Sequence, residues 1–160
     1  MRRTDRAITS LNDKMAVIQQ CKVCRLGLSD DDQPYIVPLN YGYSLDDGAL
    51  TLYFHSANEG KKLDIIRKND KACFEIDCEH TLIEGETPCT HGFAFKSVIG
   101  FGKIIVVAAK EEKRYGLNLL MQHQTRKHTD YSFGDDELAR VTVYKMLVTE
   151  FTGKQREARL

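Results

Sequence analysis

The sequence predicts a small antiparallel β-barrel of about six strands, with two or three helices inserted between hairpins. Short segments alternate apolar and polar residues with a period of two, as half-buried strands do, and turn residues such as Asp46-Asp47-Gly48 separate them. The sequence contains no G-x-G-x-x-G, no P-loop and no regular alternation of strands and helices. A doubly wound parallel sheet is therefore disfavoured.

The elements follow in order along the chain. The predicted strands are 23–28, 35–43, 50–55, 71–77, 92–107 and 140–152. Helical spacing predicts helices over 11–20, over a short segment that ends at Asn69-Asp70, and over 111–123. Segments 79–90 and 122–130 are predicted to be irregular, and the basic residues of the second are interpreted as a solvated loop rather than a nucleic-acid patch.

Length and charge limit the class of protein. The 160 residues suffice for one core, so we expect a single domain over 1–160 with a loose polar arm over 1–10. The chain has 23 basic residues (Lys plus Arg) and 23 acidic residues (Asp plus Glu), so its formal net charge is zero. A net positive charge that would attract nucleic acid or an acidic membrane is therefore absent. The strongest apolar run, 104–109, is only of strand length, so no signal peptide or membrane span is predicted and we expect a cytoplasmic protein.

The five cysteines indicate reduced thiols. Cys21 and Cys24 form a Cys-x-x-Cys, but Cys21 falls at the predicted C-terminus of a helix, where the dipole does not stabilise a thiolate. The other cysteines and histidines do not form a second pair at zinc-ligand spacing. We therefore predict no metal site.

Two strands break local rules. Pro38 removes a ladder donor, so the segment 35–41 must be an edge, a bulge or the end of a pairing. In 92–107, one face carries small side chains together with Lys96, which indicates a sharp bend or room for a flat ligand, and the two are compatible.

The short central helix begins with Gly60, Lys61 and Lys62. Two cations in a first turn oppose the helix dipole, and a bound anion such as a phosphate would reverse that penalty. The alternative is that both lysines extend into water.

In their order, four segments resemble the flavin-binding split-barrel proteins related to pyridoxamine phosphate oxidase, in particular the branch of nitroimidazole-resistance proteins. These segments are Tyr35-Ile36-Val37-Pro38-Leu39-Asn40-Tyr41, then Tyr53 to Ala57 with Gly60-Lys61-Lys62, then Phe95 to Gly102, and finally Phe151-Thr152-Gly153-Lys154. The resemblance implies a six-stranded split barrel, a homodimer, and FMN in a groove at the subunit interface, with FAD as a possible alternative.

The resemblance also implies which residues would hold the cofactor. It assigns the phosphate to Lys61, Lys62 and the block Lys96-Ser97-Val98, and the flavin ring to Pro38, Leu39, Asn40, Tyr41, His55, Ser56 and Ala57. Lys96 replaces an arginine that is frequent in relatives, and a lysine offers a point charge rather than a bidentate fork.

Three functions are consistent with these residues. A flavin-dependent reductase of a small electron-poor substrate, such as a nitroaromatic, would use His55 as a catalytic proton or hydrogen-bond donor. The second possible function is that of a non-catalytic flavin carrier or sensor, in which His55 would form only structural hydrogen bonds. The sequence supports this alternative because it shows no pairing of a nucleophile with a base. A pyridoxamine phosphate oxidase-like enzyme is disfavoured, since arginine-rich phosphate binding is not evident.

Overall fold

The protein is described here by a computed structural model, which covers residues 3–158. Its strands are β1 (Ala7–Ile8), β2 (Val23–Asp30), β3 (Gln33–Asn40), β4 (Gly42–Asp46), β5 (Ala49–Ala57), β6 (Lys71–Ile83), β7 (Gly92–Val106) and β8 (Val141–Arg156). Its helices are α1 (Leu11–Gln20), α2 (Lys61–Lys68), α3 (Lys110–Thr125) and α4 (Asp135–Ala139). Short 3-10 turns occupy Thr4–Arg6 and Pro88–Thr90. Within the described range, no helix combines the length and the apolar character that crossing a membrane requires.

All strands belong to one antiparallel sheet in the order β3-β2-β6-β7-β8-β5-β4, and β1 pairs with β8 beyond that path. The two ends of the sheet, β3 and β4, are consecutive in the chain and are separated only by Tyr41. The sheet therefore curls without closing, which confirms the predicted fold as a split barrel.

The structure has more elements than the six strands and two or three helices that were predicted. The segment 35–43 is divided at Tyr41, whose buried side chain leaves the sheet edge and enters the core. Strand β6 continues to Ile83 through a register shift between Cys78 and Thr81, where Glu79 has a φ of 57°. Thr81, Leu82 and Ile83, at the start of the segment predicted as an irregular loop, are therefore paired with β7.

The prediction of a loose arm was wrong for part of 1–10. Ala7 pairs with Lys154 and Ile8 with Gly153, and Ile8 is only 6% exposed. Burial of this isoleucine explains the docking, since it adds apolar area to the core. Met1 and Arg2 lie outside the described residues.

The main core lies inside the curled sheet. It combines inward-facing strand residues with the apolar faces of α1 and α2, including Leu26, Phe54, Phe74, Ile76, Tyr144, Met146, Ile18 and Leu63. A second, smaller cluster lies on the outer side of β5 and β8, where α3 and α4 pack; it comprises Tyr53, Val107, Leu117, Leu138 and Val143. Helices thus cover one part of the outer surface of the sheet and leave another part open.

The small residues of β7 serve packing. A Cβ on Gly100 would collide with the Phe74 ring, and one on Gly102 would collide with the backbone of Leu147 on β8. A register shift between Phe101 and Gly102 marks a bend at this point. Of the two readings of this face, the bend is therefore correct, and Phe74 with β8 fills the space that a flat ligand would need.

Candidate functional site

Helix α2 begins at Gly60, whose φ of 139° and ψ of 155° suit glycine and few other residues. Among the described residues no side chain caps this helix start, and a Cβ on Gly60 would meet open space. The Gly60 carbonyl accepts from the amides of Leu63 at 2.9 Å and Asp64 at 3.3 Å. The exposed first turn therefore keeps unused amide donors and a partial positive charge.

The two lysines of this turn point in different directions. Lys61 Nζ lies 3.5 Å from Asp30 Oδ2 at the end of β2 and 5.3 Å from the centre of the Tyr35 ring. Lys62 is half-buried and lies close enough to His55 for its charge to affect that imidazole. Lys62 thus acts on His55 through its charge, whereas Lys61 faces the β2–β3 hairpin.

His55 lies near the end of β5, opposite Val143 of β8. Burial first, and the charge of Lys62 second, lower the pKa of His55 from its ordinary 6.5. Its Nδ1 is buried and has no hydrogen-bond partner among residues 3–158. The Tyr144 hydroxyl, which faces the core from β8, is the other buried side-chain atom without a partner there. His55 is therefore a neutral imidazole at neutral pH with an unused nitrogen.

Ser56, Ala57 and Asn58 follow His55 at the end of β5. The Ser56 hydroxyl donates to the Ala57 carbonyl at 2.9 Å and is therefore already engaged. Ala57 is exposed. Asn58 holds the following loop by donating to the Ala139 carbonyl at 2.8 Å and accepting from the Thr142 hydroxyl at 2.9 Å. These bonds set the path of the chain from β5 into α2.

Pro38 lies on an edge strand, because within residues 3–158 β3 pairs only with β2; this position agrees with the missing donor of the proline. Pro38 and Asn40 face outward and are exposed, whereas Leu39 faces the main core. Gly42, two residues beyond Asn40, pairs with Tyr53 of β5. The β3–β4 junction therefore meets β5 at Tyr53, two residues before His55. The two segments that were assigned to the flavin ring are thus neighbours in the sheet.

Tyr41 is 0% exposed, so only its backbone can face a ligand. Its hydroxyl donates to the Ile18 carbonyl at 2.6 Å, and burial raises its pKa. Its carbonyl contacts His123 Nδ1 at 2.7 Å and accepts from Gln124 Nε2 at 3.0 Å. The β3–β4 junction is therefore held from behind by α1 and α3.

Sequence reasoning missed the role of His123 and Gln124, because it ended the helix at His123 and interpreted 122–130 as a solvated loop. His123 is buried, with Nε2 3.1 Å from the Gln19 carbonyl, because α3 continues to Thr125. His123 follows Leu120 by three residues, as Leu120 follows Leu117, and this spacing was the available signal because residues three apart are neighbours on a helix face.

The block Lys96-Ser97-Val98, which was also assigned to the phosphate, lies on β7. Lys96 Nζ is 3.0 Å from Glu79, whose hydrogen bond raises the lysine pKa, and it lines a cavity of about 250 Å³ beside α1. Ser97 is half-buried, and Val98 is 0% exposed in the core. Lys96 is therefore paired with Glu79, whereas Lys61 is paired with Asp30, so the two lysines have different acidic partners.

The predicted placement of the Cys-x-x-Cys is confirmed. Cys21 caps the C-terminal end of α1, and burial raises its pKa to about 12. Cys24 is 0% exposed, and burial raises its pKa too. Both thiols are therefore poor nucleophiles at neutral pH. Residues 3–158 contain no group of three side chains placed to hold a metal.

Comparisons with known proteins point to one family. A model of the pyridoxamine 5'-phosphate oxidase family matches residues 12–155. A candidate 5-nitroimidazole antibiotic resistance protein from Bacteroides thetaiotaomicron is 31% identical, with a TM-score of 0.80 over 93% of this chain and 86% of that one.

Two further solved structures share the fold. An FAD-binding protein from Mesorhizobium loti is 26% identical, with a TM-score of 0.66 over 92% of this chain and 96% of that one. An FAD and heme binding protein from Mycobacterium smegmatis is 18% identical, with a TM-score of 0.80 over 95% of this chain and 74% of that one. No curated protein matches the chain.

Proposed function

We propose that this chain, which belongs to the pyridoxamine 5'-phosphate oxidase family, is a flavin-dependent reductase of a small electron-poor substrate such as a nitroaromatic. The observation that carries the proposal is the unused buried Nδ1 of His55 beside the uncapped start of α2. The nitroimidazole resistance protein and the FAD-binding protein described above support the choice of substrate and of cofactor.

The start of α2 suits the phosphate of FMN. Its first turn offers free amides, open space at Gly60 and two lysines, and an anion there would interact favourably with the dipole. Each charge-assisted bond would contribute roughly 1.5 to 3 kcal/mol. Since the Lys61 side chain is 56% exposed and shares Asp30, we expect the half-buried Lys62 to contribute more. FAD presents a diphosphate, which could make similar contacts, and stays an alternative.

The ring would lie near Pro38, Asn40 and His55, where β3 ends and the β3–β4 junction meets β5. When bound, a flavin supplies the electron and hydride transfer itself. The contribution of His55 would be to hydrogen-bond the flavin ring or the substrate as a neutral imidazole, through the N–H of one imidazole nitrogen or the lone pair of the other. Burial around His55 would exclude water from that nitrogen.

We also propose a homodimer that covers the outer apolar face, defined by the exposed side chains of Ile36, Ile99, Phe101, Ile105 and Leu147. Ile36, Gly27, Cys73 and Phe101 are consecutive partners across β3, β2, β6 and β7. Pro38 is in the neighbouring row with Arg25, Glu75 and Ile99, so the proposed ring contact lies on the same face. A partner there would complete a cofactor groove and could bring its own Lys96 block.

The proposal is tested by purifying the protein and recording the absorption spectrum and mass of any copurified molecule. FMN should then be added to the apoprotein, and NAD(P)H consumption followed with a nitroaromatic acceptor. Bound flavin with turnover supports the reductase. Bound flavin without turnover with this or other electron-poor acceptors favours the carrier or sensor, and failure to bind FMN or FAD contradicts both.

The phosphate assignment is tested with Lys61→Ala/Lys62→Ala. The loss of two charge-assisted bonds should weaken FMN binding by roughly 3 to 6 kcal/mol, about two to four decades in Kd. Lys68→Ala is the matched control, because Lys68 Nζ lies 3.8 Å from the same Asp30 but at the other end of α2. Equal Kd values for the double variant and the parent would place the phosphate elsewhere.

A further inference from the structure

The orientation of the Gln124 side-chain amide is determined by two backbone carbonyls. Its Nε2 donates to the Lys22 carbonyl at 3.1 Å and to the Tyr41 carbonyl at 3.0 Å. A reversed amide would place its oxygen against both carbonyls, which is unfavourable because none of the three oxygens has a proton to donate. Gln124 Oε1 must therefore face away from these carbonyls.

This oxygen in turn orients Asn40. Asn40 Nδ2 donates to Gln124 Oε1 at 3.1 Å and to the Lys22 carbonyl at 3.1 Å, so both of its N–H groups are used. Rotation of the Asn40 amide would bring Oδ1 against two acceptors. Asn40 is exposed, and no hydrogen bond within residues 3–158 uses its Oδ1. Asn40 therefore presents an acceptor, and no donor, to its surroundings.

The support behind Asn40 is rigid. The next residue, Tyr41, is anchored through its hydroxyl to the Ile18 carbonyl and through its own carbonyl to His123. Asn40 pairs with Val23 on the outer side of β2 and β3, one row beyond Pro38. An acceptor held this firmly loses little conformational freedom when it binds a donor.

We propose that Asn40 Oδ1 accepts a hydrogen bond from the imide N–H of a flavin ring, and that Gln124 is the positioning residue that sets this polarity. The inference rests on the proposed function and deepens it. The oxidised isoalloxazine ring has a single N–H, the imide at N3, while its other polar ring atoms are acceptors. An acceptor-only side chain at this edge can therefore recognise that one group and no other on the ring.

The test compares FMN with N3-methyl-FMN, in which a methyl group replaces the imide hydrogen. Dissociation constants for both are measured with the parent protein, Asn40→Ala and Gln124→Leu. The control is Gln122→Leu, which removes a side-chain amide two residues earlier on α3 that donates to the Thr129 carbonyl at 3.3 Å. Thermal melts of each apoprotein show whether the variants fold.

The parent and Gln122→Leu should bind FMN about 10-fold more tightly than the methylated ring, the equivalent of one hydrogen bond. In Asn40→Ala the ratio should fall to about 1, because the acceptor is gone and the methyl group has room. Gln124→Leu should lower the ratio to an intermediate value, since a freed Asn40 can rotate its N–H groups outward. A purely structural role of Gln124 would change both affinities equally.

An unchanged ratio in Asn40→Ala would overturn the inference, and an unchanged ratio in a folded Gln124→Leu would overturn the positioning role. If the parent binds both rings equally well, the inference fails while the proposed flavin function stands. If the parent binds neither, the proposed function itself has failed.

Discussion

At the scale of single residues, burial and a neighbouring charge shift the pKa of His55 in the same direction. Desolvation disfavours the imidazolium, and the ammonium of Lys62 adds repulsion, so both lower the pKa of His55. Neither effect depends on a bound cofactor. The coupling between these two residues can therefore be measured in the apoprotein.

Lys62→Met should raise the pKa of His55, because it removes a nearby positive charge and keeps a side chain of similar length. The measurement is an NMR titration of the His55 ring in the apoprotein. Lys61→Met is the control, since Lys61 faces Asp30 and should leave the titration midpoint where it is. Equal shifts in the two variants would mean that the lysines act through the general field of the helix and not through proximity.

At the scale of elements, α3 packs closely against the start of β4, next to the candidate site. A Cβ on Gly42 would run into the backbone of Leu119 and Leu120. Gly42 directly follows Tyr41, so this close approach is what lets His123 and Gln124 reach the junction. Backbone cannot move aside as a flexible side chain can.

Gly42→Ala should therefore lower the free energy of unfolding by about 1–3 kcal/mol, the usual cost of overpacking. Gly27→Ala is the matched control within a strand, because its Cβ would meet the Cys73 carbonyl at an ordinary 3.5 Å. We expect that control to stay within about 0.5 kcal/mol of the parent. Urea denaturation measures both, and equal stabilities of Gly42→Ala and Gly27→Ala would show that α3 can shift.

At the scale of the whole molecule, the outer apolar face is a feature that a single chain leaves unexplained. Phe101 is 50% exposed and Ile36 is 68% exposed, although they lie in one row across four strands. Monomeric proteins seldom expose a contiguous apolar surface of this kind. This is the physical basis of the proposed homodimer.

Phe101→Glu should convert a dimer into a monomer, because it buries a charge in an interface expected to exceed roughly 2,000 Å². Light scattering gives the mass of the parent and the variant. Leu45→Glu is the control, since Leu45 is 37% exposed on the edge strand β4, away from this face. A monomeric parent with full flavin occupancy would contradict the homodimer.

Stability should also fall as the pH decreases. His55 and His123 both have a pKa lowered from 6.5, in each case chiefly by burial. Below about pH 6.5 the unfolded chain binds protons that the folded chain resists, so stability is complete above that pH and is lost between it and the lowered values.

The urea midpoint should consequently drop between about pH 7.5 and about pH 5.5. His123→Gln should make that drop smaller, because glutamine does not titrate and its amide can still donate to the Tyr41 carbonyl. A midpoint that is independent of pH over this range would show that neither imidazole is held neutral by the fold.

The sequence by itself determined the elements whose signals are local. The α1 bounds of Leu11 and Gln20, the edge position of Pro38, and Gly60 followed by two lysines at the start of α2 all follow from periodicity and backbone chemistry within a few residues. The resemblance then supplied the family and the list of site residues. Nothing within those local windows specifies how a side chain is oriented.

Only the tertiary structure decided what each site residue can offer. It paired Lys61 with Asp30 and Lys96 with Glu79, and it placed Lys62 near enough to His55 for its charge to lower the pKa of that imidazole. It also fixed the amide of Asn40 through Gln124, a residue 84 positions away in the chain. The physical reason is that hydrogen-bond polarity and burial depend on strand register and on helices packed from distant segments, which local propensity does not encode.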